Sequence, residues 1–294
     1  MTTCDISVII PTYRPQAWLI ECLDALYHQT LPKEQFEVIL VLNGPKEPYA
    51  QQIDGYITSH PTMQIRFIQT EQSGASHARN RGLEQARGAY ILFQDDDDYV
   101  SRTCLAEMLS LASDRCMVIC YPFAFEEGQP GVQAPYSMTD AYDACLVTGN
   151  FTWKGPARRF FSGPCMKLIP ATVIDDRRFD PRFHVGEDSI FMFLISDQIR
   201  ELHFTSKQAI YYRRYRASSI NRAQSFGHSV INGMRCMCVY TQIYFSGNYS
   251  LYLYTTRMLG SCRRMLDRLI NDLGFVSTER RYEAPMCCTP GASK

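Results

Sequence analysis

Residues 89–98 read Ala-Tyr-Ile-Leu-Phe-Gln-Asp-Asp-Asp-Asp, a short apolar run that ends in four consecutive carboxylates. The run is too short and too apolar for a solvent-washed helix. It reads as a buried strand, opened after Gly88 and closed by charge. A strand buried on both faces implies an open α/β sheet, and such sheets bind ligands beyond the carboxyl ends of their strands. Four carboxylates at such an end repel one another unless something positive sits among them. Oxygen donors of this kind suit a hard cation such as Mg2+ or Mn2+, which typically takes one or two carboxylates plus phosphate oxygens. A solvated acidic turn is the plain alternative, and the buried strand before it argues against that.

The rest of the chain supports the sheet. Residues 6–10 form a β-branched run closed by Pro11, a buried first strand. Residues 18–27 carry Leu19, Cys22, Leu23 and Leu26 at helical spacing. Residues 36–42 read as a second strand, ended by the turn signal Asn43-Gly44-Pro45. A polar helix over 47–59 and a third strand over 65–68 follow. Residues 75–86 form a helix with Ser73 as N-cap and Gly88 as the stop. Strand and helix thus alternate up to the aspartates, the pattern of a mostly parallel, doubly wound sheet.

Beyond the aspartates we expect a helix over 103–112 and a strand over 117–121. The pattern is lost over 122–160, which reads as an insertion over a cleft. Residues 164–174 read as a short apolar helix, and 189–199 as a helix with Glu187 and Asp188 at its N-terminus, where carboxylates complement the helix dipole. Strands are expected over 203–205 and 209–212, before a basic loop, Arg213-Arg214-Tyr215-Arg216-Ala217-Ser218-Ser219. Residues 226–273 read as two helices broken near Gly247-Asn248. They form either a cap packed on the sheet or a surface that meets a membrane or partner helix. The chain therefore divides into an α/β domain over 1–225 (a nucleotide-binding half, 1–121, and an acceptor-binding half, 122–225), a helical extension over 226–275 and a frayed tail over 276–294.

Composition excludes several classes. Lys+Arg and Asp+Glu both number 30, so no global field attracts nucleic acid. The start lacks the basic and apolar regions of a signal peptide, and no run of about 18 apolar residues spans a bilayer. The expectation is a cytoplasmic protein with reduced thiols. Its twelve cysteines include no CxxC pair, so no zinc site of that kind is expected.

Taken in order, Val8-Ile9-Ile10-Pro11-Thr12-Tyr13, Ser73-Gly74-Ala75-Ser76-His77-Ala78-Arg79-Asn80-Arg81-Gly82, the aspartate strand, Lys167-Leu168, Phe179-Asp180, Gly186-Glu187-Asp188 and Arg214-Tyr215-Arg216-Ala217-Ser218-Ser219-Ile220 resemble family 2 glycosyltransferases. The resemblance covers residues 6–221 and implies the GT-A fold, a Rossmann-like α/β sheet, here with a C-terminal helical extension. It implies that Pro11, Thr12 and Tyr13 line a nucleotide base, and that Asn43 stands where the family usually has a base-contacting Asp. Arg79 would reach toward the acidic motif and the diphosphate. Asp95 and Asp97 match the family's DxD pair, Asp97 for metal contact and Asp95 nearer the ribose. Asp96 is grouped with the nucleotide-sugar set, and Asp96 and Asp98 stand either behind the metal site or toward solvent. Asp188 matches the catalytic base, with Glu187 as runner-up. Arg214, Arg216 and Ser219 would close over the diphosphate, and Lys167 has a weak match on the sugar or acceptor side.

The activity so implied is inverting, metal-dependent transfer (Mg2+ or Mn2+) from a nucleoside-diphosphate sugar, UDP-sugar foremost, to a glycan or lipid-linked glycan hydroxyl at the inner face of a membrane. The C-terminal helices would be the peripheral membrane contact. Three rival readings fit these residues less well. A nucleotidyltransferase would want a Gly-rich phosphate loop where Pro11-Thr12-Tyr13-Arg14-Pro15 stands. A calcium loop would want EF-hand spacing. A non-catalytic nucleotide-sugar binding module of the same fold would lack the Glu187-Asp188 pair.

Overall fold

The structure is a computed structural model that describes residues 4–149, 154–216 and 226–272. The nucleotide half runs β1 (Ile6–Thr12), α1 (Trp18–Tyr27), β2 (Phe36–Asn43), α2 (Tyr49–Ser59), β3 (Ile65–Thr70), α3 (Ala75–Gln85), β4 (Tyr90–Phe93), β5 (Tyr99–Val100), α4 (Cys104–Ser110) and β6 (Cys116–Ile119). Then come β7 (Tyr121–Glu126), α5 (Ser137–Thr148), β8 (Lys167–Pro170), α6 (Ala171–Ile174), α7 (Glu187–Leu194), β9 (Glu201–Phe204), β10 (Ile210–Tyr215), α8 (Phe226–Ser246) and α9 (Leu251–Asp272).

β1 and β2 are buried at every residue, as strands covered on both faces must be. They lie at the heart of a seven-stranded sheet of order β3-β2-β1-β4-β8-β6-β9. β1 pairs in parallel with β2 and β4, and β6 with β9, while β8 runs antiparallel to both its neighbours. The result is the mostly parallel α/β sheet expected. Polar side chains inside it are satisfied. Buried Glu37 accepts from the Ser7 hydroxyl at 2.8 Å and from the Arg87 guanidinium at 2.8 and 3.1 Å. Gly88 is required where β4 begins, because a Cβ there would lie 2.4 Å from the Ser7 amide nitrogen.

Several local expectations are corrected. Residues 164–174 are not one helix: β8 enters the centre of the sheet, and only α6 is helical. A brief apolar run has no period that separates the two states. Residues 122–160 are not a loose insertion. They hold β7 and α5, and Phe125, Tyr142, Cys145, Phe160 and Phe161 belong to the core. β7 joins β10 and β5 in a small three-stranded sheet, and β7 is one of its two edges, where Pro122 costs no ladder bond. α3 begins after Gly74 (φ 122°), with no side-chain cap from Ser73. Arg213 and Arg214 lie on β10 rather than in a loop.

The two C-terminal helices form as expected. Cys236, Tyr240, Ile243 and Leu253 join the core of the sheet domain, and the Tyr240 hydroxyl meets that of Ser189 on α7 at 2.6 Å. Ile231, Met234, Phe245, Leu251, Leu259 and Leu266 remain exposed. Among the described residues no helix is long and apolar enough to cross a membrane.

Candidate active site

The acidic loop starts where β4 stops and ends where β5 begins, so its backbone is fixed from two sheets. The Asp95 N–H donates to the Tyr211 hydroxyl at 3.2 Å, and the Asp98 carboxylate accepts the Arg214 N–H at 2.9 Å. Arg214 Nε also donates to the Asp97 carbonyl at 3.0 Å, and Nη2 reaches Glu21 at 2.5 Å. Its guanidinium packs between Tyr99 and Phe125, at 5.9 and 5.0 Å. Arg214 therefore braces the loop from beneath, where a diphosphate-facing role was expected. Strand alternation puts Arg213 on the opposite side of β10, beside Tyr211. Arg213 donates to the Tyr136 hydroxyl at 3.4 Å and lies over that ring at 5.6 Å. Burial pushes its guanidinium down, but Tyr136, Asp98 and Asp95 outweigh this and hold it above its ordinary value. The family resemblance gives Arg213 no role, and the alternation of residues 210–215 is the signal that marks it.

The four carboxylates differ in environment. Asp96 accepts from the Thr12 hydroxyl in a short hydrogen bond. Burial, with Asp97 and Asp95 nearby, pushes it up to about 7 despite that bond. Asp97 lies 2.8 Å from Arg216 Nε, an ion pair without hydrogen-bond alignment, and Arg216 stacks on Trp18 at 5.1 Å. Burial and the neighbouring carboxylates raise Asp97 and Asp98 as well. Carboxylate oxygens of Asp95, Asp97 and Asp98 all lie within 4.8 Å of one another. This all-oxygen, mutually repelling set fits a hard divalent ion.

Arg79 links the acidic loop to the second half of the site. From α3 it donates to Asp95 at 3.0 Å and to Asp188 at 2.8 Å, with its side chain only 5% exposed. Its guanidinium lies over the Phe179 ring at 5.4 Å, and Phe179 stacks on Phe191 of α7. Burial pushes Arg79 down, but Asp188 and Asp95 outweigh it, so it stays charged. Asp188 is raised by burial, against the pull of Arg79. Glu187 is pushed up to about 7 by burial and by Asp188. Both sit in the first turn of α7, which opens at Gly186 with φ 95°. Glu187 lines a recess of about 60 Å3 together with Gly74, His77, Pro181 and His184.

Three further expected residues are placed differently. Asn43 is buried, its amide donating to the Thr12 carbonyl at 2.8 Å and accepting the Gly74 N–H at 3.0 Å. Both ends are used within the protein, so it holds β1, β2 and α3 in register. Pro11 is buried in β1 opposite Val41, whereas Tyr13 is 49% exposed, with the Arg14 guanidinium 5.3 Å from its ring centre. Lys167 is fully buried on β8, its ammonium donating to the Cys165 carbonyl at 2.7 Å, and burial pushes it down to about 8. Ser219 lies outside the described residues.

This geometry brings an acidic loop, a bridging arginine and a second carboxylate pair to the carboxyl ends of a GT-A sheet, and residues 7–167 match the family described as glycosyl transferase family 2. The chain belongs to that family. Its relatives include the minor teichoic acid biosynthesis protein GgaB of Bacillus subtilis, 27% identical over 77% of this chain and 25% of GgaB. Another is the poly(ribitol-phosphate) beta-N-acetylglucosaminyltransferase TarS of Staphylococcus aureus, 33% identical over 70% of this chain and 35% of TarS. The chain thus spans only about a quarter to a third of these two relatives. Among solved structures, S. aureus TarS 1-349 in complex with UDP-GlcNAc superposes with a TM-score of 0.64 at 21% identity, covering 92% of this chain and 73% of that one. At that identity the likeness establishes the shared fold.

Proposed function

We propose that this chain transfers a sugar from a nucleoside-diphosphate sugar, a UDP-sugar foremost, to a hydroxyl of a surface polysaccharide or lipid-linked glycan, with inversion at the anomeric carbon. One observation carries the reading: Arg79 spans from Asp95 to Asp188, so the acidic loop and the candidate base face each other across one guanidinium. The names of the relatives, which speak of teichoic acid and poly(ribitol-phosphate), support an anionic cell-surface polymer as the acceptor class.

Asp188 accepts the proton of the acceptor hydroxyl as that oxygen attacks the sugar, and Arg79 fixes the carboxylate in position. Arg213 and Arg216 lie beside the acidic loop and hold the departing diphosphate through paired N–H donors. Tyr13 stacks on the base, and Thr12 and Asp96 shape the wall below it. Asp97 and Asp95 would hold Mg2+ or Mn2+, which when bound neutralises charge on the leaving diphosphate. Glu187 is the runner-up base. Its recess beside His77 and His184 gives it a route to substrate.

The test is thermal stabilisation by UDP, GDP and dTDP, with and without Mn2+, on wild type and Asp97→Asn. A ligand of the folded state stabilises by RT ln(1 + [L]/Kd). The expected result is Mn2+-dependent stabilisation by UDP that is lost in Asp97→Asn. Stabilisation by GDP or dTDP instead would overturn the uridine assignment. No stabilisation by any of them would overturn the donor site. Stabilisation in Asp188→Asn without transfer by wild type would favour the binding-module reading.

A further inference from the structure

At the far edge of the large sheet, the thiol of Cys116, the imidazole of His203 and the carboxylate of Glu201 each bring a ligand atom within 4.8 Å of the others. We propose that these three residues form a second divalent-metal site, selective for Zn2+ and separate from the acidic loop.

The backbone builds this cluster. β9 is the edge strand and pairs in parallel with β6, with Cys116 opposite Glu201 and Val118 opposite His203. Glu201 and His203 are two residues apart, so they share one face of β9. Cys116 presents its sulfur to that face from the neighbouring strand.

The imidazole is already oriented. His203 Nδ1 lies 3.0 Å from the Leu111 carbonyl, which can only accept, so Nδ1 carries the proton. In the neutral ring that leaves Nε2 with its lone pair, and Nε2 faces Glu201 Oε2 at 3.3 Å. A ring N–H held by a backbone carbonyl while the other nitrogen faces outward is the arrangement that metal-bound histidines use. Two acceptors facing each other at that distance call for a cation between them, a proton or a metal.

The thiol supplies selectivity. Cys116 is 1% exposed, so its sulfur is held in place beside β9. A soft divalent ion replaces the thiol proton outright, releasing one proton as the metal–sulfur bond forms. Sulfur, imidazole and carboxylate together suit Zn2+ over Mg2+ or Mn2+, and three protein ligands leave a fourth position for water. Bound there, the ion would staple the edge strand to β6. No CxxC spacing announces such a site, because its ligands meet only through strand pairing.

The probe is Co2+, whose bonds to thiolate give a near-ultraviolet charge-transfer band that carboxylate ligands do not. The full chain is titrated as wild type, Cys116→Ser, His203→Gln and Asp97→Asn. The expected result is a band in wild type and Asp97→Asn that Zn2+ displaces. The band should be absent in Cys116→Ser, and in His203→Gln the apparent affinity should fall roughly tenfold or more. His203 is partly exposed, so its substitution tests the site even if Cys116→Ser fails to fold. No band in wild type would overturn the proposal. So would a band with undiminished affinity in His203→Gln.

Discussion

Replacing Arg79 by methionine keeps the aliphatic stem over Phe179 and removes the charge that Asp95 and Asp188 share. Removing one partner of a buried ion pair costs about 3–5 kcal/mol, because the other charge is left uncompensated. Here each carboxylate side chain is 35% exposed, so water screens part of the loss. A destabilisation of about 2–3 kcal/mol at pH 8 is expected. The loss depends on pH in a definite direction. Asp188 already lies above its ordinary value through burial, and Arg79 is what restrains it. Without Arg79 the folded-state value rises further above the unfolded one. Such a group favours the folded state below the unfolded value, and that favour is lost as pH rises through the folded value. The variant should therefore be close to wild type at pH 4.5, within about 1 kcal/mol, and weakest above neutrality. Urea unfolding followed by circular dichroism at both pH values measures this, with equal m-values as the check on comparability. An equal loss at pH 4.5 and pH 8 would mean that Arg79 acts through packing, and would refute the electrostatic argument.

Asp188→Asn should lower transfer roughly a hundredfold or more while nucleotide binding stays within a few-fold, measured by turnover and by titration of UDP. Asp188 pushes Glu187 up to about 7, so Glu187 is the later of the pair to ionise, and Glu187→Gln should keep both turnover and the acid limb of the pH–rate profile; loss of turnover would make Glu187 the base. Lys167 is held well below its ordinary value, so the charged ammonium is a burden on the fold that is absent above the unfolded value and complete below about 8. Lys167→Met should stabilise by about 2 kcal/mol at pH 7 after the lost hydrogen bond is deducted, and by less at pH 10. Destabilisation at pH 7 would assign Lys167 a native role that outweighs its burial.

β1, β2 and β4 were readable because strands covered on both faces must be apolar throughout, and the abrupt change from Phe93 to Asp95 marks the end of one. Glu187 and Asp188 were readable as a pair at a helix start. β8 was not, since four residues of Lys-Leu-Ile-Pro carry no period. β7 was hidden by Pro122, a breaker that an edge strand tolerates. The roles of Asn43 and Arg214 could not be read either. Residue type makes each a plausible ligand contact, but side-chain direction is set by which strand lies next to which. The alternation that turns Arg214 under the acidic loop turns Arg213 to the other side of β10.

The small sheet has a consequence for the order in which the site is made. The acidic loop leaves β4 early in the chain, yet Tyr211, Arg213, Arg214 and Arg216, which hold its backbone and offset its charge, are more than 110 positions later. A nascent chain that has left the ribosome only as far as α6 carries four adjacent carboxylates and none of those partners. Vectorial synthesis therefore cannot settle the acidic loop before α7 has emerged. The loop is braced only when β10 slots between β5 and β7.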